Sequence, residues 1–444
     1  MAPNHDEQMN QRRARREELR RKRKAEQRRM MIGLIAAAVV LVLGGIWIFK
    51  ISRDPKPLGS GTVQNPNLPE PTMATTAAPP VETTKPGRGY QEPITINIKA
   101  AGDLNVTNAV VSAGLSATGY DFTRAFMDVA GVLSDADLTV LNFEGNVCGE
   151  PYGGDTTSAP KEILEGLRNA GVDMVQTANS RSIQNGFIGL TATLNAIRNA
   201  GLEPLGSYAT PAEFEQAKGY TICDVQGVKV AFVAFTKGFL GMGLPTGNEN
   251  CVNLLYEDYA TNYDLVDKTR INSILKAIAK EEPDITIAML HWGSENNDVV
   301  SPTQKSIVNL MLKGGVDVIL GSHSHTLQHI DFDPLKGTLV AYSLGDFFGN
   351  GVDGGTNYSI ILDVEITKDP AAGTTKVTGF SYTPIYTLKE TEAADHYRRV
   401  VRIEEAMQAY TYNYVDKVSA DAYAGMEKAM TRIGQRLTPP VETN

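Results

Sequence analysis

From Ile94 onward the chain alternates between short continuous apolar runs and segments whose apolar positions recur every three or four residues. The runs are ITINIKAA from 94, LTVLNF from 138, VDMVQTA from 172, VKVAFVAF from 228, ITIAML from 285, VDVILG from 316 and TLVAYSLG from 338. Each has strand length and is rich in Val, Ile, Leu, Thr and Ala, which predicts β-strands. Between several of them lie PKEILEGLRNAG, TATLNAIRNAG and TQKSIVNLMLKGG, where apolar residues share one helical face and a glycine closes the segment. The alternation predicts a layered α/β fold. Further on, YSIILDVEITKDPAAGTTKVTGFSYTPIYTL reads as antiparallel strands around the turn DPAAGTT, and the stretch from His396 to Leu437 as helices covering the sheet.

The pattern differs before residue 93. Met30 to Phe49 is an uncharged apolar run of twenty residues, MMIGLIAAAVVLVLGGIWIF. At about 1.5 Å per residue it spans about 30 Å, the hydrocarbon thickness of a bilayer. Residues 1–29 carry eleven Lys/Arg against five Asp/Glu, so they are expected to stay cytoplasmic and to leave the remainder extracellular. Trp47, Phe49 and Lys50 close the run as interface residues, whereas a cleaved signal peptide has a shorter apolar core and a small-residue exit. Residues 50–92 are rich in Pro, Thr, Gly and Ser without apolar periodicity, and read as a semi-extended stalk. The expected organisation is a basic tail (1–29), a transmembrane helix (30–49), a linker (50–92), a folded domain (93–388) and a C-terminal helical appendage (389–444).

Charge narrows the ligand class. The whole chain is −9, and residues 1–29 account for +6, so the rest is −15. A surface that acidic excludes nucleic acid or another polyanion held by bulk charge. An anionic ligand needs a local basic or metal-lined site. Cys148, Cys223 and Cys251 are too few and too scattered for a disulfide scaffold or a Cys-based zinc site; one bridge with a thiol left over stays open. GFLGMGLPTG, from 238, lacks the Lys-Ser/Thr pair of a P-loop, and Pro245 blocks a helix start, so it reads as a flexible loop over the site. No G-x-S-x-G elbow is present, which speaks against a serine hydrolase.

The candidate chemistry lies just beyond the predicted strands. Four of the six histidines fall between 291 and 329. Asp103 follows the first run, Glu144 the second, Asn179 the third, His291 the fifth, His323 and His325 the sixth, and Asp346 the seventh. Carboxyl ends of strands form the ligand edge of open α/β sheets, so these residues are expected to converge. Mixed carboxylates and imidazoles suit Zn, Mn or Fe better than Mg or Ca. Two ions about 3.5–4 Å apart is the arrangement used for phosphoester hydrolysis. His329 is expected to face outward or pack, and His5 and His396 lie outside the cluster.

Seven blocks in order, AAGDLN, LSDADLTVLNFEG, GVDMVQTANS, TLNAIRNAGLEPLGS, LHWGSE, GGVDVILGSHSHTLQ and AYSLGDFF, resemble the capsule-synthesis CapA family, also called poly-γ-glutamate synthesis PgsA-like proteins. The resemblance runs from Ile94 to Phe348 and implies the calcineurin-like metallophosphoesterase fold, a four-layer α/β/β/α sandwich. It matches Asp103, Glu144, His291, His323 and His325 to metal ligands. One block departs: family members usually read Ala-Asn-Asn-His, whereas ANSRSIQNG keeps Asn179 and puts Ser180 at the metal-reaching Asn and Arg181 at the acid His. Gln184 stands for a usual Asp, and Asp346 for a usual Asn. Ser180 is a poorer ligand than an amide. Arg181 stays protonated and cannot act as a general acid, but it can clamp an anion. Arg181, Asn179 and Asp346 are the residues expected to act on the ligand as catalytic groups, and one or two divalent transition ions (Mn, Zn or Fe) the cofactor.

The expected function is a membrane-anchored extracellular protein assisting synthesis, export or attachment of an anionic polymer such as poly-γ-glutamate. Its expected partners are the polymer or its precursor and membrane-embedded synthase subunits. Two other readings stay open: a metal-dependent surface phosphoesterase, and a metal-free scaffold ectodomain.

Overall fold

All seven apolar runs form strands, because each finds cover on both faces. A computed structural model describes residues 92–352, 355–414 and 417–437. The basic tail, the apolar run 30–49 and the linker up to residue 91 lie outside the described residues. Among the described residues no helix is long and apolar enough to cross a membrane.

In chain order the strands of the two large sheets are β1 (Ile94–Asn105), β2 (Leu138–Glu144), β3 (Met174–Gln176), β4 (Glu203–Leu205), β5 (Thr221–Val225), β6 (Val228–Thr236), β7 (Ile285–His291), β8 (Val318–Ser322), β9 (Ile330–Asp333), β10 (Thr338–Ala341), β11 (Asp346–Phe348), β12 (Tyr358–Asp369), β13 (Thr374–Leu388) and β14 (Arg399–Arg402). The first sheet has the order β14-β13-β12-β1-β2-β3-β4, with β11 beside the end of β1. Strands β1 to β4 are parallel, while β12, β13 and β14 are antiparallel. The second has the order β9-β10-β8-β7-β6-β5, parallel in its middle and antiparallel at both edges.

Alternate residues explain the layers. Ile96 and Ile98 of β1, Val140 of β2, Val230 and Phe232 of β6, Ile287 of β7 and Val318 of β8 share one buried cluster, so the two sheets pack face to face. The intervening residues point outward to helices. Leu141 and Phe143 meet Ile163, Leu164 and Leu167 of α1 (Glu162–Asn169). Beyond α2 (Gly186–Asn199), Val233, Phe235 and Leu290 of the second sheet meet Ile271 and Ile274 of α3 (Lys268–Lys280) and Ile307 and Met311 of α4 (Pro302–Lys313). Burial on both faces is why these strands are apolar throughout rather than alternating. Each buried Ile, Leu or Phe side chain contributes about 1.5–3 kcal/mol. The start of α4 is written locally: Ser301 accepts from Gln304 N, and the Gln304 side chain accepts from Ser301 N, a capping box ahead of an apolar face.

The C-terminal stretch differs from the expectation. Residues Arg399–Arg402 are not helical but form β14, the edge strand against β13. Val400 and Val401 are β-branched and buried on opposite faces, and the open edge of β13 supplies the hydrogen bonds that a lone helix turn there would lack. His396 lies in a non-helical segment before it. Helices α5 (Ile403–Thr411) and α6 (Ala420–Leu437) follow as expected. All described residues fall in one compact unit, so this segment is built into the sheet it was expected only to cover.

Two further details constrain the region near Asp103. A Cβ on Gly102 would lie 1.8 Å from Gly345 O, and Asp103 N donates to that same carbonyl at 2.9 Å. Only glycine lets β1 and β11 approach this closely. Cys148, Cys223 and Cys251 are all free. Burial pushes the Cys223 and Cys251 thiols up to about 11, which keeps them as unreactive thiols at neutral pH.

Candidate metal centre

The strand ends bring together residues from both sheets. Asp103 lies near the end of β1, Glu144 and His291 are the last residues of β2 and β7, His323 and His325 occupy the turn after β8, and Asp346 opens β11. All six are buried. Two groups could each hold an ion: Glu144, His291 and His323, and Asp103, Glu144 and His325, the candidate ligand atoms of each group lying within 4.8 Å of one another. Glu144 belongs to both, the position of a bridging carboxylate between two ions.

Burial and charge agree with that use. Glu144 Oε2 is buried and has no hydrogen-bond partner, an expensive condition unless a cation or proton supplies one. Burial, reinforced by Asp103 and Asp346 and opposed by His325 and Arg181, pushes its carboxyl up to about 8. Asp346 is pushed up to about 6, chiefly by burial. His291 and His323 are held well below the ordinary imidazole range by burial, then by nearby positive groups that include Lys237 and Arg181. They are therefore neutral, the form that ligates metal. For His325 burial acts downward, but Asp346, Glu144 and Asp103 together raise it well above that range. A cation bound here would compete with the protons that these shifts favour on Glu144 and His325.

Neighbouring side chains orient the ligands. His325 Nδ1 lies 2.8 Å from Asp346 Oδ1, and its Nε2 lies 3.6 Å from Glu144 Oε2. His291 Nδ1 lies 3.1 Å from Ser322 Oγ and its Nε2 3.0 Å from Ser180 Oγ. Asn142, which the sequence reading missed, donates to Asp103 Oδ1 at 2.6 Å and lies 3.4 Å from His291 Nδ1. A signal for it exists: Asn142 stands two residues before Glu144 on one strand, hence on the same face. His323 and His325 have φ of +89° and +57°, left-handed conformations that cost a non-glycine residue about 1–3 kcal/mol each. Ser324 holds that turn, donating to Thr326 O at 2.7 Å, with Ser343 Oγ at hydrogen-bond distance, 2.8 Å.

The altered block ANSRSIQNG lies on the loop after β3. Asn179, expected at the ligand, is instead turned inward. Its Nδ2 donates to Asn142 Oδ1 at 3.1 Å and to Phe143 O at 2.7 Å, and its Oδ1 accepts from Arg181 N at 3.0 Å. It fastens the loop to β2 and leaves no amide hydrogen for a ligand. Ser180 Oγ also comes within 3.5 Å of His323 Nδ1, so it does stand among the metal-capable imidazoles. Arg181 is half-buried, with one Nη donating to Gln184 Oε1 at 3.3 Å. Among the described residues no carboxylate forms an ion pair with it.

Beside this cluster opens a pocket of about 490 Å³, lined by Glu144, Arg181, His325 and Asp346 on the cluster side and by Asn105, Glu295, Asn296, Asn350 and Thr356 around it. None of these last five was singled out in the sequence, since isolated polar loop residues carry no pattern. The loop from 238, expected over the site, contributes nothing to the lining. Phe239 pins it elsewhere, fully buried with its ring 5.7 Å from that of Tyr259. His329 packs on Tyr342 with ring centres 4.6 Å apart, outside the cluster.

The family model described as "Bacterial capsule synthesis protein PGA_cap" matches residues 97–350. The chain is 28% identical over 235 residues to the capsule biosynthesis protein CapA of Bacillus anthracis, covering 51% of this chain and 54% of that one. To the PGA biosynthesis protein CapA of Bacillus subtilis (strain 168) it is 25% identical over 234 residues, covering 50% and 56%. The chain thus spans about half the length of the curated relatives it matches. Among solved structures, the calcineurin-like phosphoesterase YfkN from Bacillus subtilis superposes with a TM-score of 0.41 at 16% identity, covering 78% of this chain and 98% of that one.

Proposed function

The chain belongs to the bacterial capsule synthesis protein PGA_cap family, and from there we propose that it serves the biosynthesis of an anionic capsule-type polymer of the poly-γ-glutamate class. The observation that carries this reading is the pair of metal-capable groups sharing Glu144 at the head of a pocket that Arg181 lines. The relatives named for capsule and PGA biosynthesis support the polymer class.

A divalent transition ion, Mn, Zn or Fe, suits this ligand mixture. Asp103, Glu144 and His325 would hold one, and Glu144, His291 and His323, with Ser180 beside them, a second. When bound, such ions supply positive charge to carboxylate or phosphoryl oxygens. Arg181 adds a planar fork for a second anion contact, which matters in a chain that is −15 beyond residue 29. Asp346 orients His325, Asn142 orients Asp103, and the amide and hydroxyl groups of Asn105, Asn296, Asn350 and Thr356 offer neutral hydrogen bonds to the rest of the ligand.

The apolar run 30–49 behind a basic tail supports a single-pass anchor with this domain outside the cell, near membrane-embedded synthase subunits as partners. A second reading, a surface phosphoesterase of metallophosphoesterase type, is favoured by the shared Glu144. Against it stands Arg181, which offers no proton to a leaving group; losing a general acid costs about 10²- to 10⁴-fold in rate.

The test is deletion of the gene in a polymer-forming cell, followed by complementation with the wild type or with a His323→Ala, His325→Ala double variant. Surface polymer should disappear on deletion and return only with the wild type. Unchanged polymer on deletion would end the polymer reading, and full rescue by the double variant would end the role of the metal-capable site.

A further inference from the structure

The family match ends at residue 350, yet contacts to the pocket's loops continue beyond it. Two arginines of the C-terminal segment reach main-chain carbonyls of those loops. Arg398, buried, donates to Asn350 O at 2.9 Å and pairs through Nε with Glu390 at 3.0 Å. Arg436, in the last turn of α6, joins two other loops. One Nη donates to Leu327 O at 3.3 Å, two residues past His325, and the other pairs with Asp298 Oδ2 at 2.8 Å, on the loop that follows His291. Helix α6 presents this arginine from a fixed base: Ala422, Met426, Ala429 and Ile433 are buried in the apolar cluster that includes Ile360 of β12 and Leu388 of β13. A Cβ on Gly425 would come within 2.8 Å of Tyr386 Oη.

The two loops also meet directly. Asn296 N donates to Ser324 O at 2.8 Å, and Gln328 Nε2 donates to Asn297 O at 2.9 Å. Asn296 is left-handed at φ +56°, as are His323 and His325 across from it. Such conformations persist only where surrounding contacts over-determine them. Asp298 is half exposed at 50%, so its pair with Arg436 adds little to global stability and its effect is on position.

We propose that Arg436 is a positioning residue for the metal-capable site: by tying Leu327 to Asp298 it fixes the His325 turn against the loop after His291. It reaches no candidate ligand atom itself. A forked guanidinium is suited to serving a carbonyl on one loop and a carboxylate on another at once, where a lysine ammonium is a single point charge. The metal readout of this inference rests on the function proposed above; the loop-ordering readout does not.

The experiment uses the full chain in detergent as wild type, Arg436→Ala, Arg436→Lys, Asp298→Ala, the Arg436→Ala, Asp298→Ala double variant, and Lys428→Ala, an exposed control on the same helix. Hydrogen exchange over 292–300 and 323–330 and the d–d absorption of added Co²⁺ are read together. Arg436→Ala and Asp298→Ala should each speed exchange in both loops. Each should also weaken Co²⁺ binding about tenfold with a changed spectrum. The double variant should be no worse than the more affected single variant, because the bridge is already lost. Lys428→Ala should match the wild type, and Arg436→Lys should recover only part of the effect. Wild-type exchange in both loops of Arg436→Ala overturns the proposal, as does exchange that rises uniformly across the whole chain. If the wild type takes up no Co²⁺, the metal reading fails by itself, and the exchange data still decide whether Arg436 joins the loops.

Discussion

His325 Nδ1 donates to Asp346 Oδ1 across 2.8 Å, joining the turn after β8 to the first residue of β11. That bond sets the orientation of the ring and turns Nε2 toward Glu144. Asp346 was expected to act on the ligand directly; this contact makes it also the group that aims a metal-capable imidazole. Asp346→Ala should therefore lower affinity for Mn²⁺ or Zn²⁺ about 10- to 100-fold, whereas Asp346→Asn, whose amide oxygen still accepts from Nδ1, should lose much less. Calorimetric titration of both variants separates the two, and equal losses would contradict the orienting role.

The close approach of β1 and β11 yields a second expectation. In Gly102→Ala the new Cβ would sit 1.8 Å from Gly345 O, a main-chain atom that cannot rotate aside. The cost should reach or exceed about 3 kcal/mol, the upper end of ordinary overpacking. A urea midpoint equal to that of the wild type would show that the strands can separate freely.

Asp317, immediately before β8 and so at the opposite end of that strand from the metal-capable cluster, gives a pH dependence. Burial pushes its carboxyl up to about 6 from an ordinary 3.8, against the lowering effect of the Thr286 N–H it accepts. The folded chain therefore holds this proton more tightly than the unfolded chain. Its contribution is full below pH 3.8 and is lost as pH rises to about 6. Asp317→Asn, which keeps an oxygen for Thr286 N, should flatten that part of the stability–pH curve and gain about 1–3 kcal/mol at pH 7. Denaturation midpoints for both proteins from pH 4 to about 7 check this, and parallel curves would refute it.

The altered loop can be reverted toward the family's usual residues. A Ser180→Asn, Arg181→His double variant should bind the ion at Glu144, His291 and His323 more tightly and gain phosphodiesterase activity toward the 10²- to 10⁴-fold range of a restored general acid. Hydrolysis of a chromogenic phosphodiester measures it. Tighter metal binding without a gain in rate would favour ligand handling over a weakened esterase.

Much of this arrangement is legible in the sequence alone. Strands buried on both faces are continuous apolar runs, so ITIAML and VKVAFVAF announced themselves. The polar residues just beyond such runs then marked Asp103, Glu144, His291, His323 and His325. What stayed hidden had ordinary physical reasons. Asn142 sits inside LTVLNF, where a lone amide looks like noise until Asp103 and Asn179 are seen to pair with it. Asn179 looked like a group for the ligand because it follows the third strand, while its hydrogen bonds run inward to β2. Residues Arg399–Arg402 have too few positions to reveal a period of two, and only the open edge of β13 decides that they extend. Arg436 carried no local signal, since its partners lie 109 and 138 residues away in sequence.

The candidate ligands come from separately hydrogen-bonded sheets: Asp103 and Glu144 from the first, His291 and the His323–His325 turn from the second. An ion there would be a stitch across a seam, and its occupancy would measure how firmly the two halves of the sandwich are docked. Anything that loosens the seam at its far end, including a poor fit among Ile98, Val140, Val230 and Ile287, would then be felt as weaker metal binding. Conversely, scarcity of the ion would be felt as a softer protein. The acidic surface, the histidine turn and the apolar middle would in that case form one balance, read from either side.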